Sequence, residues 1–559
     1  MTTVTNQPAT ASAAAGAPET QTPDYDAVIV GAGFSGMYQL HRLRQLGMRV
    51  RVIEAGDDVG GTWYWNRYPG ARVDIESRHY SYSFDDELQQ EWDWSERYAA
   101  QPELLDYARH VADRFDLHRD ITFGTRVSAL DWQDRQHAWT VTTDSGERLS
   151  SRFVILATGC LSVPQEPTFD GLDEFRGEVL YTSRWPHEGV DLSGKRVAVI
   201  GTGSSGLQTI TAIAPEVASL TVLQRTPNFA IPAHNHPLTD DDRAWIKENY
   251  PQLRGQDFES ALDFYVDDSQ VLFAEHDEAE IDAVLEERWR RGGLGYTRAF
   301  ADSLLSAEAN ARLADFARAK IRERVADEKL AQKLMPFDYP VGAKRMCVDT
   351  GYFEVYNRDN VRLIDIGEQP IEGFTASGIV VRAPEGRGGR EEIDVDVVVM
   401  ATGFDAMTGA VDAIDITSDA GSLRDKWQDG PRTYLGLMTA DYPNLFTITG
   451  PQSPSVLTNM MTSIEYHVDF ISRMLEKMTA EGTTQVAPRP EAEEHWVNLT
   501  NDLGALTLMP KAQSWYMGAN IPGKPQALMP FVGGSHVYIN YCEGIVVGNY
   551  HGFAFGKVS

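Results

Sequence analysis

The sequence predicts an α/β protein built from two Rossmann-like dinucleotide-binding domains with a helical insertion. Three observations predict it. Two G-x-G-x-x-G turns, one on Gly31, Gly33 and Gly36 and one on Gly201, Gly203 and Gly206, each follow an apolar run and open a helical pattern. Two further apolar runs end in A-T-G turns, FVILATGC at 153–160 and VVVMATGFD at 397–405. Between residues 238 and 333 the pattern turns helical and charged, with no nucleotide signal.

In the first unit, the apolar run 27–30 leads into the glycine turn. A helix pattern (MYQLHRLRQLG) follows and ends at Gly47, and MRVRVIE then reads as a strand closing on Glu54. The first glycine makes the tight turn, the second lets backbone approach a pyrophosphate, and the third lets helix pack on strand. A carboxylate at Glu54 accepts hydrogen bonds from ribose hydroxyls and repels a 2′-phosphate, so this half suits FAD or NAD. In the second unit, the strand 196–200 precedes the turn, and the strand 219–224 ends in Arg225 and Thr226 instead of an acid. A guanidinium and a hydroxyl there suit a 2′-phosphate, at roughly 1.5–3 kcal/mol per charge-assisted hydrogen bond, so this half prefers NADPH. One such turn is weak evidence; two with opposite end charges are strong.

The second A-T-G lies far beyond the NADPH unit, so the FAD domain is expected to be discontinuous. Residues 24–160 and 400–559 form it, 161–237 and 334–399 form the NADPH domain, and 238–333 form the insertion. The insertion either covers the active site or is a stabilising surface subdomain. PNLFTITGP at 443–451 reads as a last strand delivering backbone to the flavin. The first 23 residues carry no Lys or Arg and no apolar core, which marks a disordered tail and neither a signal nor a transit peptide.

Length and composition agree with this layout. A chain of 559 residues exceeds one hydrophobic core, and 12 Trp with 22 Tyr exclude a disordered chain. A formal net charge of −31 argues against nucleic-acid binding through a basic face. No apolar run approaches bilayer length, so no membrane span is expected. Cys160, Cys347 and Cys542 lie far apart, which excludes a redox dithiol and a cysteine zinc knuckle and suits a reducing, cytoplasmic compartment. No metal site is expected.

NADPH facing FAD without a redox disulfide leaves dioxygen or a diffusible acceptor as the oxidant. GGTWYWNRYPGARVDIES at 60–77 sets aromatics to wall the flavin and places Asp74 in a largely apolar loop, where a carboxylate needs a partner. Lys344-Arg345 in VGAKRMCVDTGYF offers one, although such a pair alone is more often a solvated face.

Together these motifs resemble the Baeyer–Villiger monooxygenases over nearly the whole chain, from residue 24 to about 534, and most of all the phenylacetone and steroid monooxygenase branch. Gly60, Gly61, Trp63, Tyr68, Pro69, Gly70 and Asp74 match one family motif. FRGEVLYTSRWPHE at 175–188 resembles the family fingerprint through Phe175, Gly177, Trp185 and Pro186. N- and S-oxygenating flavin monooxygenases carry a related fingerprint without the Trp-Pro/Asp ending, so Trp185-Pro186 is the discriminating pair. The fingerprint histidine is here Tyr181, which keeps a ring and a polar tip but has no cationic form. SWYMGANIPGKP at 514–525 and GPRTYLGL at 430–437 also look like family segments.

The resemblance implies an NADPH- and O2-dependent oxidation of ketones to esters or lactones through a flavin C4a-peroxide. It implies that Arg345 is catalytic and that Asp74 orients it. Gly31, Gly33, Gly36, Glu54, Thr62, Trp63, Asp74, Tyr80, Val127 and Met460 are expected at FAD. Thr202, Gly203, Ser204, Ser205, Gly206, Arg225, Thr226, Lys344 and Trp515 are expected at NADP, with Trp515 either closing over the nicotinamide on a mobile loop or simply core. Cys160, Ser455, Val456, Leu457 and Met460 are expected at the substrate, a small ketone, with no obligate protein partner. The alternatives are an N- or S-oxygenating flavin monooxygenase, an NADPH oxidase or reductase, and a non-catalytic redox sensor.

Overall fold

The computed structural model describes residues 22–264, 266, 269–384 and 388–557. The tail expected at 1–23 therefore lies outside the described residues, apart from Thr22 and Pro23. Strand Tyr25–Val30, helix Phe34–Gln45 and strand Val50–Ile53 follow one another, and the two strands pair in parallel from Ala27↔Val50 to Val30↔Ile53. The apolar run is buried because both of its edges are taken. Strand Arg148–Leu156 lies parallel on the other side, with Val30 opposite Leu156. Late in the chain, Leu445–Thr447 pairs in parallel with the end of that strand, and Asp415–Ser418 pairs with Val127–Gln133. Among the described residues, nine strands make up this sheet.

The second sheet is parallel throughout. Its strands run in the order Val361–Asp365, Ser219–Gln224, Arg196–Ile200, Val397–Met400, Glu178–Tyr181. Parallel strands need crossovers that cover both faces, which is why VVVM and RVAVI read as nearly unbroken apolar runs.

The A-T-G turns have a packing role. Their alanines lie against the fingerprint glycines. A Cβ on Gly31 would stand 2.6 Å from the Ala157 carbonyl oxygen, and one on Gly201 would stand 2.3 Å from that of Ala401. Each sheet thus closes its glycine turn against the strand that ends in A-T-G.

The fingerprint stretch is an edge strand with an anchor. Glu178–Tyr181 borders the second sheet, and Trp185, 3% exposed, packs among Leu180, Leu192, Val197 and Leu207 below it. A Cβ on Gly177 would meet the Phe175 ring at 2.3 Å, so that turn admits only glycine. At its far end His187 meets Tyr64 edge-on at 5.0 Å, which ties the stretch to the 60–77 loop.

Helices Asp240–Glu259, Glu278–Arg291, Ala307–Arg324 and Glu328–Leu334 fill the stretch expected to be helical, each with an N-cap oxygen, from Thr239, Asp277, Ser306 and Asp327. The apolar faces of Glu278–Arg291 and Ala307–Arg324 enclose a core of Ile281, Leu285, Trp289, Phe300 and Leu313 that also takes in Met346 and Ala512, while Ala331 and Leu334 of the fourth helix pack in the core of the second sheet. These helices therefore brace the segments carrying Arg345 and Trp515. Among the described residues no helix is long and apolar enough to cross a membrane.

Candidate active site

Each glycine turn delivers a helix N-terminus. The first helical hydrogen bonds run from Met37 N–H to Gly33 and from Leu207 N–H to Gly203. The amides before them, among them those of Ser204, Ser205 and Gly206, form an anion-binding end of the kind that receives a pyrophosphate. Glu54, 5% exposed, accepts from Ala32 N–H at 2.6 Å and Gly56 N–H at 2.7 Å, one on each oxygen. It braces the turn and keeps lone pairs for ribose hydroxyls, while burial pushes its carboxyl above the usual range against those two amides. The Glu54 amide donates to Thr122 and the Thr125 amide to the Glu54 carbonyl, which brings the start of the Val127 strand to the same edge.

The 60–77 loop does two jobs. Trp63 donates from Nε1 to the Tyr80 hydroxyl at 3.1 Å, edge to face, so these two aromatics stand together near Thr62. Tyr68 does not join them. Its hydroxyl donates to Gln208 Oε1 at 2.8 Å, and Gln208 Nε2 reaches the Arg72 carbonyl at 3.2 Å. The Tyr68-Pro69-Gly70 turn thus clamps the first sheet's loop onto the helix Ser204–Ile213 of the second.

At the end of strand Ser219–Gln224, Thr202 Oγ1 donates to the Thr226 carbonyl at 3.1 Å. Asn228 Nδ2 donates back to the Thr202 carbonyl at 2.7 Å. Tyr339 braces the same stretch by donating to the Pro227 carbonyl at 3.0 Å, and Lys344 Nζ lies 4.6 Å from its ring centroid. Burial lowers the Lys344 ammonium below its usual range, and the neighbouring Arg225 charge adds to the effect. Two cations near enough to act on each other, neither in an ion pair among the described residues, have the charge to receive a dianion.

Arg345 meets Asp74 across 271 residues of sequence in a bidentate pair, Nε to Oδ2 and Nη2 to Oδ1, both 2.8 Å. Its Nη1 donates to the Val456 carbonyl at 2.7 Å. Burial disfavours the guanidinium charge, but Asp74 outweighs it and holds the group above its ordinary range. Beside it lies a small apolar cluster of Cys160, Ala406, Met407, Val456, Tyr516 and Met529, edged by Leu457, Met460 and Trp515. Cys160, Val456, Leu457 and Met460, all expected at the substrate, meet in this cluster. Ser455, expected there too, is fully buried, and its hydroxyl donates to the Thr449 carbonyl at 3.4 Å. Burial pushes the Cys160 thiol up to about 11, which makes it a small apolar surface and not a nucleophile.

Sequence reasoning missed Tyr516. Its neighbour Trp515 carries the motif signal, yet it is Tyr516 that is buried in the apolar cluster, close enough to Arg345 and Asp74 for both charges to act on its phenol.

The family described as Pyridine nucleotide-disulphide oxidoreductase matches residues 28–254, the stretch that holds both glycine turns. A Baeyer-Villiger monooxygenase of Pseudooceanicola batsensis is 43% identical over 526 residues, covering 93% of this chain and 94% of that one. The solved structure of oxidized steroid monooxygenase bound to NADP superposes with a TM-score of 0.91 at 47% identity, over 95% of this chain and 99% of that chain. OTEMO in complex with FAD and NADP gives a TM-score of 0.91 at 40% identity, over 96% and 100% of the two chains.

Proposed function

The chain belongs to the Baeyer–Villiger monooxygenases, and from that premise we propose that Arg345, oriented by Asp74, is the residue that stabilises the oxygen-transfer step. The enzyme carries FAD and NADP(H) and oxidises ketones to esters or lactones with dioxygen. When bound, FAD supplies what side chains lack: it accepts a hydride from NADPH and lets one atom of dioxygen reach an organic substrate.

The protein's part is binding, orientation and electrostatics. The amides of the 31–36 turn and Glu54 hold the flavin's pyrophosphate and ribose, with Thr62, Trp63, Tyr80, Val127 and Met460 around the rest. The 201–206 turn holds the NADP pyrophosphate, and Arg225, Thr226 and Lys344 hold its 2′-phosphate. Arg345 offers a fixed cation where negative charge gathers on the reacting oxygens, and Asp74 keeps its fork in one plane. The apolar wall of Cys160, Val456, Leu457 and Met460 takes the ketone's hydrocarbon and excludes water. The two sheets support a layout with the FAD domain as 24–160 with 400–559 and the NADPH domain as 161–237 with 334–399. Both cofactor folds lie in one chain, so no electron-transfer partner is needed, and three buried free thiols suit the cytoplasm.

The bidentate Asp74–Arg345 pair beside that wall is the observation that carries this reading. It is tested by offering the holoenzyme ketones against amines and sulfides with NADPH and air. Esters should dominate; amine or sulfide oxides in excess would reassign it to the N- or S-oxygenating class.

Arg225→Ala should raise KM for NADPH by about tenfold or more, the cost of one charge-assisted contact, and leave KM for NADH within about twofold. Steady-state kinetics with both nucleotides checks this, and an equal loss with each would remove the 2′-phosphate role.

A further inference from the structure

Near the substrate wall, Leu435 at φ +62°, Thr449 at +53°, Gln452 at +68° and Ser455 at +42° hold a left-handed backbone without glycine. Thr449 is the least expected of them, because a β-branched side chain crowds its own backbone there. A residue in that region persists only where its surroundings over-determine it.

Thr449 stands two residues past the strand Leu445–Thr447, where the loop to Val456 begins. Its amide donates to His467 Nδ1 at 2.9 Å, and its carbonyl accepts from the Ser455 hydroxyl at 3.4 Å. Ser455 precedes Val456, whose carbonyl accepts from Arg345 Nη1 at 2.7 Å. One path of hydrogen bonds thus runs from His467 through Thr449 and Ser455 to the neighbour of the carbonyl that holds the arginine. A Cβ on Gly450 would stand 2.5 Å from the Gly436 carbonyl oxygen, so the loop starts pressed against the turn that carries Leu435.

His467 lies on the helix Met460–Glu481, 1% exposed, and burial pushes its ring down to about 3, so the ring is neutral. A neutral imidazole has one donor and one acceptor nitrogen, and its neighbours fix which is which. Tyr538, on the helix Ser535–Val547, gives its only hydroxyl hydrogen to the Leu435 carbonyl at 2.7 Å. Its oxygen then accepts, so His467 Nε2, 2.9 Å away, carries the ring hydrogen. Nδ1 is left bare and takes the Thr449 amide. One buried imidazole–phenol pair thereby fastens two left-handed residues, Leu435 by its carbonyl and Thr449 by its amide.

We propose that His467, in the Nε2–H form set by Tyr538, is a positioning residue that fixes the 449–456 loop and through it the carbonyl on Arg345. This rests on the role given to Arg345 above. Without the ring nitrogen the Thr449 amide has no partner, the loop relaxes from its left-handed start, and the Val456 carbonyl leaves Nη1. NADPH, a proton and dioxygen then end as NADP⁺ and hydrogen peroxide, with no oxygen atom transferred to the ketone.

The experiment compares wild-type holoenzyme with His467→Asn, His467→Leu, Tyr538→Phe and Thr449→Gly, the last alone and combined with His467→Leu. Ester and hydrogen peroxide are measured per NADPH consumed, and amide hydrogen exchange is followed across 445–457. Asparagine places an amide oxygen where Nδ1 stands, whereas leucine offers no acceptor. His467→Leu should lower the ester-to-peroxide ratio about tenfold and speed exchange across the loop about tenfold, the effect of losing one buried hydrogen bond. His467→Asn should stay within about threefold of wild type on both measures. Glycine takes the left-handed start unaided, so in the Thr449→Gly background the leucine should cost less than about twofold. Tyr538→Phe keeps its ring but frees the tautomer, so it should fall between the asparagine and leucine variants, and it carries the test if His467→Leu does not fold. Equal losses in His467→Asn and His467→Leu would overturn the proposal, because they mark ring packing. A full loss from leucine in the Thr449→Gly background, or wild-type values in Tyr538→Phe, would overturn it too. If wild type yields no ester from any ketone, the functional reading fails, while exchange across 445–457 still decides whether His467 holds the loop.

Discussion

Arg345→Ala is expected to slow ester formation by about 10²–10³-fold, the cost of removing one preorganised donor from a developing oxyanion. NADPH-driven bleaching of the flavin should fall by far less, because hydride transfer builds no such charge beside the arginine. The two rates separate in a stopped-flow experiment, with anaerobic reduction in one syringe programme and ester yield after aeration in another. The truncation also leaves the Asp74 carboxylate without its bidentate partner in a half-buried loop. Arg345→Lys restores charge but not the planar fork, so it should recover only part of the loss. Ester formation at near the wild-type rate in Arg345→Ala would show that the charge is handled elsewhere.

Gly36→Ala is the second large effect, and it is structural. A Cβ there would lie 1.8 Å from the Gly31 carbonyl oxygen and 2.9 Å from its carbon, both rigid backbone. The helix Phe34–Gln45 must shift away from the turn that its N-terminus completes, and overpacking of this kind costs about 3 kcal/mol. The purified variant should contain little or no FAD by its visible spectrum and should melt well below wild type. Full flavin content with an unchanged melting temperature would mean that the helix is not packed as described.

Local features were legible in the sequence, and contacts between distant residues were not. The strand 196–200, the strand 219–224 and both glycine turns fall where the periodicity places them, because strand, turn and helix there are set by neighbours. Glu54 against Arg225 was legible for the same reason: each ends its own strand. Nothing local ties Asp74 to Arg345, 271 residues away, and only the family resemblance paired them. Tyr68 reads as one aromatic among several, yet its hydroxyl holds Gln208 on the helix of the second sheet. Tyr516 stands beside a tryptophan that takes the attention, and a buried phenol next to a cation has no periodic signature. The A-T-G turns were legible as turns, but an alanine carbonyl over a distant glycine is visible only in three dimensions.

Tyr181, where the fingerprint has histidine, shows how the fold absorbs a departure. It closes the edge strand opposite Met400, and the Arg184 guanidinium lies 5.3 Å from its ring centroid. Arg184 in turn pairs with Glu166 after the first A-T-G turn. The ring thus joins the edge of the second sheet to that segment through Arg184, a task that needs a π-face and no titrating nitrogen.

The central claim is that one atom of dioxygen enters a ketone beside Arg345, and a single-turnover reaction under ¹⁸O2 tests it most directly. Holoenzyme reduced with one equivalent of NADPH and mixed with ketone and ¹⁸O2 should give an ester or lactone carrying a single ¹⁸O at the bridging position, the other atom appearing in water. Unlabelled ester, or all of the label recovered as hydrogen peroxide with the ketone untouched, would contradict the account.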